Sequence, residues 1–343
     1  MSGRDLLNLT PLRIERLSLD DGLALSTRGA VPFGGLGYGT PDDLAWMPMV
    51  NARVLSERGP MADIWHATGA VRSGTTGVVR WRTDGHWVLG AVDLDESVER
   101  QGVGKLSERA YHDIFKTLED TGCAHIQRIW NYLPQINGDG GGLERYRQFN
   151  MGRQQAFIDA GQAAFDGAPA ACALGIRQGS LCIRFLAGKA APLPVENPRQ
   201  VSAYRYPDTY GPRAPTFSRA ALADLGGGDV ALFISGTASI IGHETVHLGD
   251  IRAQTRETLR NLTAVIAAAN ERTTAVFELP RLEAVVYVRN VSDAPVVREV
   301  LDQALGADAH TVRHAVYLEA DICRQDLLVE IEAHAVAPGV LSA

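Results

Sequence analysis

The segment DLLVEIEAHA, residues 326–335, combines carboxylates with a pattern that is typical of a β-strand. Alternation divides it into two faces, with Leu327, Val329 and Ile331 on one and Leu328, Glu330 and Glu332 on the other. If a domain interface encloses Glu330, desolvation raises its pKa and keeps the carboxyl protonated, as a general acid requires. The simpler alternative is a strand whose polar face meets solvent, and the pattern alone favours that alternative.

Arginine and tyrosine are concentrated in two other segments. The first opens a predicted helix and contains Arg145, Tyr146, Arg147, Asn150 and Arg153. The second is a proline-rich stretch that contains Tyr204, Arg205, Tyr206, Tyr210 and Arg213. Arginine pairs bidentately with carboxylates, and tyrosine offers a flat face and a hydroxyl, so this composition fits the binding of an anionic ring. A solvated helix face and a surface loop are the alternative.

One motif has the spacing of a metal site. His243, Glu244 and His247 match HExxH, in which two histidines on consecutive helical turns bind zinc. That motif requires a continuous helix, whereas Gly242 precedes these residues and Gly249 follows them. We therefore expect a loop at this point and no metal site.

Two glycine-rich segments can bring backbone close to a ligand. Residues 33–39, FGGLGYG, lack the full spacing of a dinucleotide-binding loop and open no helix, so a tight turn or a loop near a ligand is expected. Residues 137–142, NGDGGG, can approach a ligand or turn a corner, and the sequence by itself favours the corner.

The elements that must position these residues follow an order that the sequence predicts twice. In the first half, a strand at 87–96 precedes a helix that Ser107 caps and Gly122 ends. A strand at 123–134, a helix at 143–165 and two strands within 171–188 complete the order β-α-β-α-β-β.

The second half repeats that order. Its predicted elements are strands at 229–236, 282–291, 314–324 and 326–335, a helix at 250–270, and a helix from Ser292 or Asp293 to Leu305. A duplicated order predicts two similar α/β domains. Between them, residues 189–215 are rich in proline and lack periodicity, which predicts a linker or a binding loop.

Composition narrows the class of protein. The net charge of -7 over 343 residues argues against a nucleic-acid partner, because phosphate binding needs a clustered excess of Lys and Arg. No stretch reaches the ~18 apolar residues that span a bilayer, and the N-terminus lacks a signal-peptide pattern, so we expect a cytoplasmic protein without a membrane partner. The four cysteines form no CxxC pair, which disfavours a zinc cage and a disulfide framework.

The second half resembles the Rid (YjgF-like) superfamily. The resemblance rests on Ile234-Ser235-Gly236, Gly249-Asp250, Ala253-Gln254-Thr255, Asn261-Leu262 and the closing 329–333, and it covers about the last 120 residues. It implies ligand sites in clefts between subunits and a functional glutamate at Glu330. The matching order of the first half then implies a degenerate copy, so that one chain builds internally what the superfamily builds as a trimer.

A larger set of motifs resembles the chorismatases. They are residues 129–134, Arg145-Tyr146 with Asn150 and Arg153, residues 196–200, residues 210–213, residues 236–240 and residues 321–324. This resemblance implies an α/β (α+β) fold of two Rid/YjgF-like (chorismate mutase-like) domains, 1–195 and 196–343. Each is a sheet with helices on one face, in a pseudo-trimer-like arrangement within a monomer that has internal pseudo-symmetry.

The same resemblance implies cleavage of chorismate to pyruvate and a ring product, without metal or other cofactor. Glu330 is then the acid that protonates the enolpyruvyl methylene, a step that enol-ether cleavage requires. Arg153 and Arg213 are expected among the residues that bind the carboxylates. Further binding residues implied are Arg145, Tyr146, Tyr210 and Thr237.

Two small residues bear on the product. Gly236 and Cys323 together resemble the branch that makes 3-hydroxybenzoate, in some members with 4-hydroxybenzoate, whereas the hydrolase branch carries alanine at the position of Gly236. The first alternative is therefore a hydrolase that gives 3,4-dihydroxycyclohexa-1,5-diene carboxylate and pyruvate. The second is a Rid-like protein that binds metabolites or deaminates imines. In the simplest interpretation, Gly236 only ends a strand and Cys323 only packs.

Overall fold

The computed structural model describes residues 11–27, 32–39 and 44–342. Its helices are α1 Leu19–Thr27, α2 Glu96–Glu99, α3 Val103–Thr121, α4 Arg145–Asp159, α5 Ile251–Asn270, α6 Ala294–Leu305 and α7 His310–His314. Its strands up to the middle of the chain are β1 Leu12–Ser18, β2 Gly34–Tyr38, β3 Met49–Val50, β4 Arg53–Val54, β5 Met61–Ala67, β6 Arg72–Thr76, β7 Val79–Thr83, β8 Trp87–Leu94, β9 His125–Pro134, β10 Ala170–Ile176 and β11 Leu181–Gly188. The remaining strands are β12 Leu193–Val195, β13 Ala220–Asp224, β14 Asp229–Ala238, β15 Ile240–Ile241, β16 Glu244–Thr245, β17 Glu283–Val288, β18 Val316–Glu319, β19 Asp321–Ile322 and β20 Val329–Pro338.

Two seven-stranded sheets have the same topology. The first has the order β6-β7-β8-β11-β9-β10-β19 and the second the order β12-β13-β14-β20-β17-β18-β4. The parallel pair is β9 with β10 in the first sheet and β17 with β18 in the second, and every other neighbour is antiparallel. Each sheet also receives its last edge strand from the other half of the chain. The predicted duplication is therefore confirmed at the level of strand order.

Helices cover one face of each sheet. Helix α3 contacts β7, β8 and β11 of the first sheet, and α5 contacts β13, β14 and β20 of the second. The opposite faces of both sheets share a core with a smaller sheet of order β1-β5-β2-β3, and this core includes Trp65, Trp130, Phe233 and Tyr287. Three sheets thus surround one interior, which large aromatic side chains help to fill because they bury the most area.

Several boundaries differ from the sequence predictions. Helix α3 begins at Val103 after Gly102, and Ser107 lies buried in its second turn, where its hydroxyl bonds to the Val103 carbonyl instead of capping. Gly122 does end the helix in the left-handed conformation, with φ 68°. Helix α4 stops at Asp159, six residues before the predicted end.

The glycine-rich segment 33–39 was expected to be a turn or loop, and that prediction is wrong for its centre. Residues Gly34–Tyr38 form the buried strand β2 between β5 and β3. Side chains of neighbouring strands occupy the space above the glycines, since a Cβ on Gly37 would lie 2.1 Å from the Met49 sulfur. Glycine is therefore needed here for close packing between strands.

The strands β10 and β11 are consecutive in sequence but are not neighbours in the sheet. Strand β9 lies between them, parallel to β10 and antiparallel to β11. The turn at Gln178 and Gly179 therefore crosses the end of β9 instead of closing a hairpin.

The domain division at residue 195 stays a prediction. Strands β12 and β4 both lie before this residue in sequence, but they belong to the second sheet. Among the described residues, no helix is both long and apolar enough to cross a membrane.

Candidate active site

A cavity of about 810 Å³ opens where the two halves of the chain meet. The first half contributes the loop after β9 and the start of α4, and the second contributes β14, β20 and the segment between β19 and β20. Residues 206–219, which lie between the two halves, form a further wall. The residues that line the cavity are Asn137, Gly138, Asp139, Gly142, Leu143, Glu144, Tyr146, Arg147, Tyr206, Thr209, Tyr210, Pro215, Phe217, Arg219, Gly236, Ala238, Ile240, Cys323, Arg324, Gln325, Asp326 and Glu330.

Glu330 is the buried carboxyl of this cavity. It lies on β20, a central strand between β14 and β17, and the residue is 3% exposed. Its pKa is raised to about 8, mainly by burial and also by the charge of Glu332, while Arg128 and Arg219 oppose the rise. The side chain is therefore mostly protonated at neutral pH, which is the state that a general acid needs.

Glu332, two residues along the same face, is held differently. Its carboxylate accepts hydrogen bonds from the Arg128 guanidinium and, at 2.8 Å, from the Tyr287 hydroxyl. Arg128 and Glu332 form a buried ion pair. One strand face thus carries two carboxyl groups in different environments. Glu332 is ion-paired, whereas no ion pair of Glu330 occurs among the residues described. This difference in environment allows the two carboxyl groups to have different roles.

Gly236 leaves the space that the Glu330 carboxyl occupies. A Cβ at this position would lie 1.9 Å from Glu330 Oε1, well inside van der Waals contact. The ladder between β14 and β20 shifts register between Ile234 and Thr237, and this bulge contains Gly236. The glycine therefore makes room for the acid itself.

Cys323 stands next to the acid. Its sulfur lies 4.0 Å from Glu330 Oε2. Burial raises the pKa of the Cys323 thiol to about 12, and the neighbouring Glu330 adds to the shift. The side chain is therefore a neutral thiol and not a thiolate nucleophile at neutral pH. Burial also raises the pKa of the Tyr146 phenol, which lines the cavity beside Cys323.

Two arginines supply positive charge without a carboxylate partner among the described residues. Arg219 donates to the Val201 carbonyl and to the Tyr206 hydroxyl, both at 2.7 Å. Arg324 donates to the His243 carbonyl at 2.7 Å. The buried Nε of Arg219 and the buried Nη2 of Arg324 have no hydrogen-bond partner within the described chain. Unused donors of buried guanidinium groups are suited to an anionic ligand, because a buried donor without a partner is costly.

Aromatic rings fix the Arg324 guanidinium. Its central carbon lies 4.0 Å from the ring centroid of Tyr210 and 5.0 Å from that of Tyr206. Tyr210 in turn donates its hydroxyl to the His243 carbonyl at 2.7 Å. The third cavity arginine, Arg147, is instead paired with Glu144 at 3.2 Å.

Four predicted binding residues are not among those that line the cavity. Arg145 pairs with Glu96, and Arg153 is buried with its guanidinium 5.1 Å from the Tyr111 ring centroid. Arg213 donates to Gln154 Oε1 at 3.0 Å. Thr237 is buried, and its hydroxyl donates to the Ser235 carbonyl at 2.9 Å. The buried Nε and Nη2 of Arg153 also have no hydrogen-bond partner within the described chain. Arg153 and Arg213 therefore stay predicted carboxylate anchors, and the cavity adds Arg219 and Arg324 as candidates. The other predicted residues, Glu330, Cys323, Gly236, Tyr146 and Tyr210, do meet at the cavity.

The two added anchor candidates, Arg219 and Arg324, differ in how clearly the sequence indicates them. Arg324 directly follows Cys323 in a motif that carried the family resemblance, so its neighbour could have drawn attention to it. Arg219 lies just before β13, outside the arginine- and tyrosine-rich stretch. Nothing in its local pattern distinguishes it from a surface arginine, because its role depends on which distant residues meet it.

The HExxH segment is not helical. Strands β15 and β16 form a hairpin through it, and Gly242 and His247 have φ of 60° and 61°. The expectation that no continuous helix forms here is confirmed, although the segment is a short hairpin and not a loop without strands. Among the described residues, Glu108, His112 and Asp159 are the one group whose ligand atoms are close enough to share a metal ion, and they lie on α3 and α4, away from the cavity lining.

Comparisons with known proteins find related families in both halves of the chain. Residues 63–187 match the family described as "Chorismatase FkbO/Hyg5-like, N-terminal", and residues 217–337 match the family described as "Endoribonuclease L-PSP". A "3-hydroxybenzoate synthase" of Streptomyces hygroscopicus is 39% identical over 287 residues, which are 80% of this chain and 81% of the relative. A "Chorismatase" of Streptomyces rapamycinicus is 38% identical over 79% of this chain and 81% of its own length. A crystal structure of a chorismatase superposes with a TM-score of 0.80 at 29% identity and covers 96% of this chain and 99% of the other.

Proposed function

Because this chain belongs to the chorismatase family, we propose that it cleaves chorismate to 3-hydroxybenzoate and pyruvate in the cavity around Glu330. One observation carries the proposal. A buried carboxyl whose pKa is raised to about 8 shares a cavity with two guanidinium groups, each of which has a buried N–H donor without a partner in the described part of the chain. Chorismate is a cyclohexadiene with two carboxylates and an enolpyruvyl ether, so it needs both cationic anchors and a proton donor.

Substrate binding is assigned to Arg219 and Arg324. Each can donate a charge-assisted hydrogen bond to a carboxylate, and the rings of Tyr206 and Tyr210 hold Arg324 in one orientation. Phe217 and Tyr146 offer flat walls for the ring. Fixing the substrate in this way provides the orientation component of the rate enhancement.

The proton comes from Glu330. Transfer of its proton to the enolpyruvyl methylene makes a methyl group and leaves positive charge on the ether carbon and oxygen. The ether oxygen then becomes a good leaving group, because it departs as the oxygen of the uncharged keto group of pyruvate. Ionised Glu330 is stabilised by the charges of Arg128 and Arg219, which oppose the rise of its pKa.

The product depends on what attacks the ring carbon or the activated ether. In the synthase route, the neighbouring ring hydroxyl displaces pyruvate, its proton passes to a base such as Glu330, and the resulting arene oxide aromatises without consuming water. In the hydrolase route, one water is consumed and the ring stays a diene. Gly236 and Cys323, the two residues that resemble the synthase branch, both lie beside the acid, which supports the synthase route.

One incubation tests the proposal. Purified protein is mixed with chorismate, pyruvate is quantified, and every ring product is separated by chromatography. We expect one equivalent of 3-hydroxybenzoate, with or without some 4-hydroxybenzoate, for each pyruvate. A dihydroxycyclohexadiene carboxylate as the main product would favour the hydrolase alternative. Absence of pyruvate would remove the proposal and favour a Rid-like binding protein or imine deaminase.

We further propose a monomer that acts in the cytoplasm without metal or other cofactor. Both halves of the chain line the cavity, with Tyr146 from the first and Glu330 from the second, which supports a site complete within one chain. Among the described residues, Cys123, Cys172 and Cys323 form no disulfide bond, as is typical of a reducing compartment. Light scattering after gel filtration checks the oligomeric state, and metal analysis of active protein checks the cofactor proposal.

A further inference from the structure

Arg289, which directly follows β17, uses its whole guanidinium group to bind one segment of the protein. Its Nε donates to the Leu327 carbonyl at 2.8 Å, and its Nη2 donates to the carbonyls of Ile322 and Arg324 at 3.1 and 3.0 Å. Its Nη1 donates to Asp321 Oδ1 at 2.6 Å and to Asn137 Oδ1 at 3.1 Å. These five bonds match the five N–H donors of an arginine side chain.

The segment that Arg289 binds contains two of the candidate active-site residues. Residues 323–328, between β19 and β20, have no regular secondary structure. The Ile322 and Arg324 carbonyls lie on either side of Cys323, so Arg289 holds the backbone immediately before and after the thiol. The same bonds fix the position from which the Arg324 side chain reaches Tyr210.

Arg289 also joins this segment to the first half of the chain. Asn137, which accepts from Arg289, donates its amide to the Cys323 carbonyl at 3.5 Å and to Glu144 Oε1 at 3.3 Å. Asn137 and Glu144 both line the cavity, whereas Arg289 does not. The guanidinium is thus placed behind the cavity wall, where it contacts both halves.

We propose that Arg289 is a positioning residue for the reaction. By saturating its donors on residues 321–327 and on Asn137, it fixes Cys323 beside Glu330 and directs Arg324 toward the substrate. The effect on chemistry rests on the proposed function, but the effect on the backbone does not. Loss of Arg289 releases buried carbonyls, loosens the wall beside Glu330 and allows water to compete with the ring hydroxyl.

The test compares Arg289→Lys with a matched control, Arg298→Lys. Lysine keeps the charge but cannot reproduce a planar array of five donors. Arg298 also joins distant parts of the chain, through Glu57 at 3.0 Å and the Leu55 carbonyl, and it does not line the cavity. For each variant we would measure kcat, KM, the ratio of ring products per pyruvate, and hydrogen exchange of residues 321–328.

For Arg289→Lys we expect kcat to fall about 10²-fold, since a misplacement of about 1 Å has that effect. KM should rise because Arg324 is displaced, the share of dihydrodiol acid should rise, and exchange of residues 321–328 should accelerate. Arg298→Lys should match the wild type in all four. The product ratio does not depend on how much enzyme is folded, so an unchanged ratio with unchanged KM and exchange would overturn the proposal.

Two further results keep the inference testable. If Arg289→Lys does not fold, Asn137→Ala serves as the second variant, because it removes one of the five bonds. It should show the same changes at smaller size. Wild-type exchange and a wild-type product ratio in Asn137→Ala would overturn the proposal. If wild-type protein releases no pyruvate from chorismate, the proposed function fails. The exchange experiment then decides the positioning role alone, with faster exchange supporting it and equal exchange overturning it.

Discussion

The two seven-stranded sheets share an architecture but differ in the chemistry of equivalent strands. Strand β11 in the first sheet corresponds to β20 in the second, since each lies next to the parallel pair. Cys182 on β11 is opposite Tyr132, and Glu330 on β20 is opposite Tyr287. The two tyrosine hydroxyls are 2.8 Å apart, so the equivalent positions meet in the interior. A thiol in one copy thus takes the place of the acid in the other.

The next equivalent pair shows the same divergence. Arg184 on β11 donates to Asp93 at 2.7 Å and to the Val92 carbonyl at 2.6 Å, whereas its counterpart Glu332 accepts from Arg128. Both side chains are buried and both are paired. The first sheet therefore uses these positions to hold its own strands together. The second uses them around Glu330, an acid without an ion pair among the described residues.

The backbones also differ at one point beside the acid. Between β14 and β20, two residues, Ser235 and Gly236, occupy the place where the regular β8 and β11 ladder has Ala91 alone. A bulge of this kind redirects a strand locally and is common next to active sites. The two sheets therefore share one frame, and the second carries the acid, the bulge and the glycine together.

Replacing the acid should have the largest effect. Glu330→Gln is expected to lower kcat by about 10²–10⁴-fold, because amide cannot supply the proton. Cys182→Ser at the equivalent position should keep turnover, since serine retains a small side chain with a donor. Steady-state release of pyruvate and circular dichroism of both variants check this, and wild-type turnover by Glu330→Gln would remove Glu330 as the acid.

Filling the space at the bulge comes next. In Gly236→Ala, the new Cβ would lie 1.9 Å from Glu330 Oε1, so the carboxyl must move by about 1 Å or more. We expect about 10²-fold lower kcat and a larger share of dihydrodiol acid. The reciprocal Ala91→Gly in the first sheet should leave kcat and products unchanged. Equal product ratios in Gly236→Ala and wild type would contradict the role assigned to the glycine.

Removing a cavity guanidinium should act on binding. Arg324→Met is expected to raise KM for chorismate about 10- to 100-fold, the value of a hydrogen bond between charged groups. Arg213→Met should have a much smaller effect, because Arg213 is bonded to Gln154 and does not line the cavity. Initial rates over a range of chorismate concentrations distinguish the two. A larger effect from Arg213→Met would favour the anchor that the family resemblance implies.

The pH profile should show the titration of Glu330. Because the protonated acid is the active form and its pKa is about 8, kcat should fall about tenfold for each unit above pH 8. Folding favours the protonated carboxyl, so the folded chain binds more protons than the unfolded chain between pH 4.5 and 8. The free energy of unfolding should therefore decrease as pH rises through that window, and Glu330→Gln should remove this component. Thermal melts at several pH values measure it.

Local patterns were sufficient for much of the fold. Periodicity predicted both copies of the order β-α-β-α-β-β, and Asp250 and Gly122 mark helix ends where capping rules place them. The order of strands within a sheet was beyond local patterns. Nothing in residues 321–322 indicates that they leave the second half to pair with β10, because pairing is decided by which edge is open nearby.

What the sequence determined by itself was the identity and order of the parts. Alternation in 326–335 put Glu330 on a polar strand face, and the family motifs selected Gly236 and Cys323. Whether that face meets water or a closed cavity was left open by the pattern. Burial of Glu330, its raised pKa and its approach to Cys323 were decided only by the tertiary structure, since desolvation depends on all the atoms that exclude water from a group. The same reason applies to the unused N–H donors of Arg219 and Arg324. Distant segments bury these donors without placing a carboxylate partner beside them among the described residues.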